Sequence, residues 1–374
     1  MSELGMMNFF GFETGDLTGA ASSLGGVSTS TTVAKTGTYS LKITGTGANQ
    51  NWIKTQGTNV YTGTSNVSFD TDGFAVTCWL YLSTLPSTGE EEIMRLVDTA
   101  SVKMATLRVT SGGAIKVLDS MDAVVGTSSA LSTSAWHRLE WLVRFDDVTL
   151  LRLNGSDSVT GTGTFHGVNP YSANYLGNFA SAGTTAFTIY YDDVAYTAEL
   201  LLGEAHVKVL IPNANGSSSS WTNDYTSVDE IPHDSATTII SSTAAGNTEA
   251  VSMQNSSTAG LPVQATIAAI KYAVVVRRFA IGSPLMVFYS ISDGLDDLKP
   301  GDTGFSPAVV FTGRWKMTET HQGQLVNQID DLEVVVSDVR TSGTNALQCT
   351  QMMCEVLYLE RVVPAQFETP HAGI

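Results

Sequence analysis

Apolar residues in this chain recur at every second position, which is the period of a β-strand and not that of an α-helix. Residues 74–82 (FAVTCWLYL) and 138–145 (RLEWLVRF) each place their apolar side chains on one face. Residues 148–155 (VTLLRLNG) follow and end in Asn154-Gly155, the strongest short signal for a hairpin. Together with evenly spaced glycine-rich turns, this pattern predicts an all-β, antiparallel sandwich protein.

The chain is predicted to contain two domains. Its 374 residues exceed one ordinary domain and suit two. A boundary near residues 197–204 gives a first β-sandwich domain over 1–200 and a second antiparallel β-sandwich over 201–374. In the second domain residues 213–224 are predicted to be a long polar loop. The predicted long strands there are 265–278, 284–291, 332–339 and 351–360.

The second sandwich is predicted to anchor the protein or to assemble an oligomer. Residues 274–276 and 334–336 are both Val-Val-Val, so these strands are apolar on both faces. A two-layer sandwich covers only one face of each strand, and the other face needs a partner. The expectation is a homo-oligomer, with a trimer favoured.

Three segments of the first domain carry a family resemblance: residues 9–17 (FFGFETGDL), 36–43 (TGTYSLKI) and 189–196 (IYYDDVAY). They resemble the start, the second strand and the closing strand of a concanavalin A-like, laminin-G-type jelly roll in the form that phage virion proteins carry. The Trp-His-Arg strand at 136–138, followed by the LNG hairpin, matches the same family. The resemblance covers roughly residues 6–200 and implies that the first and last strands lie side by side.

The second half resembles the C-terminal module of tailed-phage structural proteins, which is associated with particle surfaces and not with catalysis. The matching positions are Asn213, Gly216, Trp221, Tyr225, Val228, Asp229, Glu230, Pro232, Asp234, Thr238 and residues 327–334. Both resemblances imply a non-enzymatic structural protein of a phage virion, displayed on the particle surface as capsid decoration, head fibre or tail component. An alternative is a host-glycan-binding adhesin that uses the jelly roll, and a remote one is a glycan hydrolase.

Charge and composition agree with a surface protein. The formal net charge of −17 repels nucleic acid, so nucleic acid is excluded as a partner. No apolar run reaches the eighteen residues of a membrane span, so no membrane partner is expected. The opening MSELGMMNFF lacks the basic region of a signal peptide. Synthesis in the bacterial host cytoplasm, followed by assembly into the virion, is the resulting expectation.

Glu13, Asp192 and Asp193 are the candidate metal ligands, because the resemblance brings the first and last strands together. Related jelly rolls hold a structural Ca²⁺ at such carboxylates, and calcium needs six to eight oxygens. Backbone carbonyl oxygens of Thr36 or Ser40 would have to contribute. Strand alternation turns only one of the two aspartates inward. The alternative is that all three carboxylates are turn and edge residues exposed to water.

No sequence feature supports catalysis, and the chain is predicted not to be an enzyme. The acidic run Glu90-Glu91-Glu92 follows a turn and is expected to be a solvated loop, unlike the spaced carboxylate pair of a glycoside hydrolase. The six histidines are scattered singly, and no nucleophile elbow or phosphate-binding loop is present. The three cysteines, Cys78, Cys349 and Cys354, are predicted to be buried thiols.

Five aromatic residues are candidates for contacts with a glycan or with a neighbouring subunit, since each lies among Asn, Gly and Thr. Aromatic rings flanked by amides and hydroxyls are typical of lectin-like sites. The alternative is that they fold down to cover the ends of the sandwich. The candidates are Trp52, Tyr61, Tyr171, Tyr175 and Trp221.

Overall fold

The computed structural model describes residues 6–360 with internal gaps. The gaps are residues 18–19, 21, 47–49, 57–72, 99, 145–146, 166–170, 179–185, 199, 235–236, 243, 279–285, 293–311, 319–321 and 340–346. Within these limits the protein is built almost entirely of antiparallel β-strands, so the predicted fold class is confirmed. Among the residues described, no helix has the length and apolar character needed to cross a membrane.

Among the residues that the structure describes, fifteen strands form the first sandwich. They are β1 Met6–Phe10, β2 Ser22–Leu24, β3 Val27–Ser30, β4 Ser40–Thr46, β5 Asn51–Gln56, β6 Gly73–Thr84, β7 Glu90–Asp98, β8 Lys103–Thr110, β9 Ala114–Leu118, β10 Val124–Ala130, β11 Trp136–Arg144, β12 Val148–Leu153, β13 Ser156–Thr162, β14 Tyr171–Asn178 and β15 Ala186–Thr197. One sheet has the order β13-β12-β11-β6-β15-β4-β3, with β1 also paired to β15, and the other has the order β10-β9-β8-β7-β14-β5-β2. The inward faces of the two sheets enclose one apolar core, in which Trp141 and Tyr191 are fully buried.

The first and last strands of this sandwich are neighbours, as the jelly-roll resemblance implies. Phe9 lies opposite Ala195 and Phe10 opposite Val194. The second predicted segment, in β4, pairs with the earlier part of β15. The three segments that carry the resemblance therefore meet at one place in the sheet.

The predicted hairpin at Asn154-Gly155 is confirmed. Strand β12 ends at Leu153 and β13 begins at Ser156, which leaves a two-residue turn. Asn154 and Gly155 have φ angles of 53° and 82°, and left-handed backbone at both positions is the requirement of a type I′ turn. The Asn154 side chain also accepts a hydrogen bond from the backbone N–H of Arg138 at 3.0 Å, which ties the turn to β11.

In the described part of the second sandwich there are nine strands, together with short 3-10 helices at Tyr225–Ser227 and Val326–Ile329. The strands are β16 Ala205–Leu210, β17 Pro212–Ser219, β18 Ile240–Ser242, β19 Thr248–Met253, β20 Thr266–Arg278, β21 Met286–Ser292, β22 Thr312–Thr318, β23 Leu332–Asp338 and β24 Leu347–Leu359. One sheet has the order β16-β24-β20-β22 with β18 paired to β24, and the other has the order β17-β19-β23-β21. Every described sheet takes its strands from one side of residues 198–204 only.

Two expectations for the second sandwich need correction. Residues 213–219 of the predicted polar loop belong to β17 and pair with β19, because a largely exposed edge strand can carry polar side chains. The valine runs are buried within the single chain, and their most exposed members are Val275 at 2% and Val335 at 1%. The uncovered apolar face that motivated a trimer is therefore not found at these valines. The three cysteines are free and buried, as predicted.

Candidate functional site

The two sandwiches meet across an apolar contact that involves the first strand. Its buried residues are Phe9, Ala195, Leu202, Ala205, Val207, Ala268, Ala269, Met317 and Leu357. Gly11, just after β1, lies so close to β16 that a Cβ at this position would be 2.6 Å from Val207 Cγ1. The chain segment that leads to Glu13 is therefore pressed against the second sandwich.

A β-bulge in β15 brings both aspartates of the candidate metal site into the interior. Simple alternation turns only one of Asp192 and Asp193 inward, but the pairing of β15 with β6 shifts register between Asp192 and Ala195. Asp193 has a φ of 50°, and both aspartates are 0% exposed. A bulge inserts an extra residue and redirects a side chain. The prediction of one inward aspartate is therefore wrong.

Backbone N–H groups of residues 35–39 surround two of the three carboxylates. Glu13 accepts hydrogen bonds from the N–H of Thr38, at 2.9 and 3.1 Å to its two oxygens, and of Tyr39 at 3.0 Å. Asp192 Oδ2 accepts from the N–H of Lys35 at 2.7 Å and of Thr36 at 3.3 Å. Successive amides arranged in this way form an anion-binding concavity.

Glycine is required in the middle of that segment. Gly37 has a φ of +63°, and a Cβ there would lie 2.3 Å from the carboxyl carbon of Glu13. Any larger residue would therefore be strained in its backbone and would displace the carboxylate. The packing of Glu13 therefore explains why the TGT sequence of the resemblance has glycine at position 37.

Asp193 joins the two sandwiches through polar contacts. Its Oδ2 lies 2.9 Å from His206 Nδ1, and its Oδ1 accepts hydrogen bonds from the Val207 N–H at 2.8 Å and the Thr36 hydroxyl at 2.7 Å. His206 and Val207 belong to β16 of the second sandwich. One carboxylate of the first sandwich is thus held by three donors, two of them from the second.

A buried ion pair lies beside these carboxylates. Lys271 and Glu355 are cross-strand partners in β20 and β24, and their side chains form an ion pair. Lys271 Nζ also donates to the carbonyl oxygen of Phe9 at 2.7 Å and lies 4.9 Å from the Phe9 ring centroid. We call Glu13, Asp192, Asp193, His206, Lys271 and Glu355 the junction cluster.

Sequence reasoning found the three carboxylates of the first domain and missed the other three residues. A usable signal exists for two of them. Lys271 stands in AIKYAVVV and Glu355 in MMCEVLYL, and each is a single charge inside a long apolar strand. An isolated charge in such a strand needs a buried partner of opposite sign. His206 stands in EAHVKVL and carries no comparable signal.

The junction cluster contains more carboxylates than cations, and this shifts their protonation. Burial raises the pKa of Glu13 from its ordinary 4.5 to about 7, against the hydrogen bonds from Thr38 and Tyr39. Burial, and next the adjacent charge of Asp193, raises the pKa of Asp192 well above its usual range. Both shifts mean that folding favours the protonated acids.

The arrangement does not suit the predicted calcium ion. Calcium binds six to eight oxygens. Here residues 35–39 present N–H groups and not carbonyl oxygens toward Glu13 and Asp192, and the oxygens of Asp193 accept from His206, Val207 and Thr36. The amide hydrogens occupy the carboxylate oxygens that the ion would use. Glu13, Asp192 and Asp193 are brought together as predicted, but with donors as their partners.

The acidic run at residues 90–92 is part of a strand and not a solvated loop. Glu90 begins β7, and Glu91 and Glu92 are each 2% exposed. Glu90 pairs with Arg108 at 3.0 Å and Lys116 at 2.6 Å. Burial alone would raise the pKa of Glu90, but these two cations outweigh it and hold that pKa below its usual value. Neighbouring strands supply these partners, which the local sequence does not show.

The other two glutamates also have polar partners. Glu92 pairs with Arg95 at 2.7 Å, and Glu91 accepts a hydrogen bond from the Asn178 amide at 2.8 Å. A glycosidase acid is a carboxyl group whose environment raises its pKa. The two cations beside Glu90 lower its pKa instead and favour its ionised carboxylate.

The predicted aromatic contacts fall into three groups. Trp221 is 6% exposed and packs in the core of the second sandwich, where its Nε1 donates to the Asn247 carbonyl at 3.2 Å. Trp52 and Tyr175 form an edge-to-face pair with ring centroids 5.0 Å apart. Tyr61 and the side chain of Tyr171 lie outside the described part of the chain. The loop-like context of Trp221 was misleading, because the ring folds back into the core.

The fold and the junction cluster define an antiparallel β-sandwich protein with two tightly joined domains. No protein-family model and no curated protein matches its sequence. Solved structures with similar shape include the cellulose-induced protein Cip1, with 21% identity, a TM-score of 0.39 and coverage of 51% of this chain and 97% of that one. An endo-β-1,4-glucuronan lyase from Trichoderma reesei has 14% identity and a TM-score of 0.37, over 49% of this chain and 93% of the lyase.

A Trypanosoma rangeli sialidase bound to the inhibitor DANA is also similar, with 14% identity and a TM-score of 0.36. The match covers 49% of this chain and only 30% of the sialidase. These likenesses are too distant to bear on activity.

Proposed function

We propose that the protein is a non-enzymatic structural component of a tailed-phage particle, displayed on its outer surface as capsid decoration, head fibre or tail component. The observation that carries this proposal is the use of the junction cluster. Its charged groups hold one sandwich against the other, and each of its members is at most 4% exposed. A substrate has no access to groups buried in this way.

Rigid presentation is the physical benefit of this arrangement. Interfaces between domains of one chain usually permit relative motion unless they are large and apolar. Here an apolar contact is supplemented by the hydrogen bond from Lys271 to the Phe9 carbonyl oxygen and by the hydrogen bonds of Asp193 with His206 and Val207. A component that displays one domain outward from an anchoring domain needs such a fixed angle. The net charge of −17 also favours a place away from packaged DNA.

Labelling of intact particles tests this proposal. Phage particles are purified from the host that produces the chain, and gold-labelled antibodies against residues 1–200 are applied before and after disruption. We expect the label on intact particles. Label that appears only after disruption, or only on emptied proheads, would refute display at the surface.

A host-glycan adhesin is the second candidate, and one observation favours it. Trp52 and Tyr175 alternate with the core residues Ile53 and Leu176, so their rings point away from the sandwich core. Lys54 Nζ lies 5.8 Å from the Tyr175 ring centroid. Tyr175 is only 5% exposed, so the partly buried Trp52 is the ring that can stack on a sugar, with Lys54 near enough to hydrogen-bond the sugar hydroxyls.

Binding to the purified surface polysaccharide of the host, measured by calorimetry, tests the adhesin. The expectation for an adhesin is that binding occurs and falls at least tenfold in Trp52→Ala, while the control Trp221→Phe retains it. If the unmodified protein does not bind the polysaccharide, or if Trp52→Ala binds equally well, the adhesin candidate fails. The surface proposal is unaffected by either result.

A further inference from the structure

A second group of polar side chains lies beside the junction cluster, at the point where the linker enters β16. Ala205 of β16 pairs with Leu359 of β24, so Glu204 and Glu360 face each other one position further out. The Glu360 N–H donates to the Glu204 carbonyl at 3.2 Å. His206 is two residues after Glu204 and therefore lies on the same face of the sheet.

These three side chains converge. His206 Nε2 lies 3.9 Å from a carboxylate oxygen of Glu204 and 3.8 Å from one of Glu360. One donor atom from each of the three residues lies within 4.8 Å of the others. Both distances from Nε2 are longer than a hydrogen bond.

The imidazole ring is fixed before any ligand arrives. Asp193 Oδ2 lies 2.9 Å from Nδ1, which fixes the orientation of the ring and leaves Nε2 facing Glu204 and Glu360. Trp79 stacks on the ring at 5.6 Å with an interplanar angle of 12°, and Tyr358 packs at 5.6 Å. The His206 side chain is only 4% exposed. Its Nε2 is therefore held in place between the two carboxylates.

We propose that Glu204, His206 and Glu360 bind a divalent transition-metal ion, with Zn²⁺ as the first candidate. One imidazole and two carboxylates suit Zn²⁺ better than Ca²⁺, which takes oxygen ligands only. With bonds of about 2.0–2.2 Å, tetrahedral ligand atoms are about 3.4 Å apart. The carboxylate oxygens of Glu204 and Glu360 lie 3.9 and 3.8 Å from His206 Nε2, so a small shift of the two glutamates would bring these distances to that value.

The surroundings of the three ligands support the same assignment. Glu204 and Glu360 side chains are 38% and 48% exposed, so an ion can enter from solvent and a water can fill the fourth position. Arg138 Nη1 lies 3.7 Å from Glu204 Oε2, which leaves Oε1 to face the ion. Asp193 then acts as the carboxylate behind a metal-bound histidine. The ion would tie the linker to the end of β24.

Calorimetric titration of the full-length protein tests the site, after treatment with a chelator and its removal. Zn²⁺ alone is the probe, and Co²⁺ is titrated in parallel to read the ligand geometry from its visible absorption. We expect one Zn²⁺ per chain and a melting temperature that rises with Zn²⁺ concentration. The absorption of bound Co²⁺ should be that of an ion with a low coordination number.

Variants identify the ligands. Glu360→Gln and Glu204→Gln change exposed side chains, and each should weaken Zn²⁺ binding at least tenfold without changing the melting temperature of the metal-free protein. Asp331→Asn, an exposed acid in the same sandwich, is the matched control and should bind as the unmodified protein does. Absence of saturable Zn²⁺ binding at micromolar concentration would overturn the proposal. Equal binding by Glu360→Gln and Glu204→Gln would overturn it as well.

Discussion

The ion pair at the domain junction gives the sharpest stability prediction. Lys271→Met removes the cation and leaves Glu355 at 2% exposure with no opposite charge, close to the carboxylate of Glu13. Breaking a buried pair from one side costs about 3–5 kcal/mol. The hydrogen bond from Lys271 to the Phe9 carbonyl is lost as well, and its net contribution of about 1 kcal/mol is already included in that cost. We expect the free energy of unfolding to fall by about 4 kcal/mol.

The double variant Lys271→Met, Glu355→Met separates the charge from the packing. Two apolar side chains of similar length restore a neutral interior, so only the hydrogen bond to Phe9 is missing and the loss should be about 1 kcal/mol. Lys116→Met is the surface control, because the pair of Lys116 with Glu90 is partly exposed and such pairs contribute about 0–1 kcal/mol.

Urea unfolding followed by tryptophan fluorescence and circular dichroism measures all three variants. If Lys271→Met is no less stable than Lys116→Met, the buried ion pair does not stabilise the fold. If the double variant is as unstable as the single one, the uncompensated charge of Glu355 is not the cause of the loss. Either result would refute the reasoning.

Three further predictions concern the segment around Glu13. Gly37→Ala should lower the free energy of unfolding by about 2 kcal/mol or more, because the alanine is strained at positive φ and contacts Glu13. The control Gly89→Ala, at a φ of +68° with open space around it, should lower it by only about 1 kcal/mol. Equal losses in urea unfolding would contradict this. Glu13 has a raised pKa, so its protonated form stabilises the fold and the free energy of unfolding should fall by about 3 kcal/mol as pH rises from about 5 to about 8. Glu13→Gln should remove this part of the pH dependence, and identical pH profiles for the two proteins would show that Glu13 does not titrate in this range. Millimolar Ca²⁺ should leave the melting temperature unchanged, and an increase that Glu13→Gln abolishes would mean that residues 35–39 turn carbonyl oxygens toward an ion.

The strand neighbours of the first sandwich could be predicted from the sequence because a recognisable segment marks each of them. Residues 9–17, 36–43 and 189–196 contribute to β1, β4 and β15, which are adjacent in one sheet. The hairpin at Asn154-Gly155 could be predicted for a local reason, since few residue pairs accept left-handed backbone twice. Local patterns of this kind need no knowledge of the rest of the chain.

The site could be predicted only in part, because its chemistry depends on distant contacts. Strand alternation fails at Asp192 and Asp193, where a bulge that no short pattern announces turns both inward. Whether the 36–40 segment offers carbonyl oxygens or N–H groups to Glu13 depends on backbone direction, which composition does not encode. The pairing of Lys271 with Glu355 joins residues far apart in sequence, although the isolated charge in each apolar strand indicates that a partner is needed.

Surface display by a rigid two-domain unit is the central claim, and a cryo-electron microscopy reconstruction of the phage particle measures it most directly. We expect density for both sandwiches on the outside of the particle, with the second sandwich against the particle and the first pointing outward. We also expect one fixed angle between the two sandwiches in every copy, as the junction cluster requires. Density inside the shell would contradict surface display. A well-ordered second sandwich with the density of the first averaged away by variable angles would contradict the rigid junction.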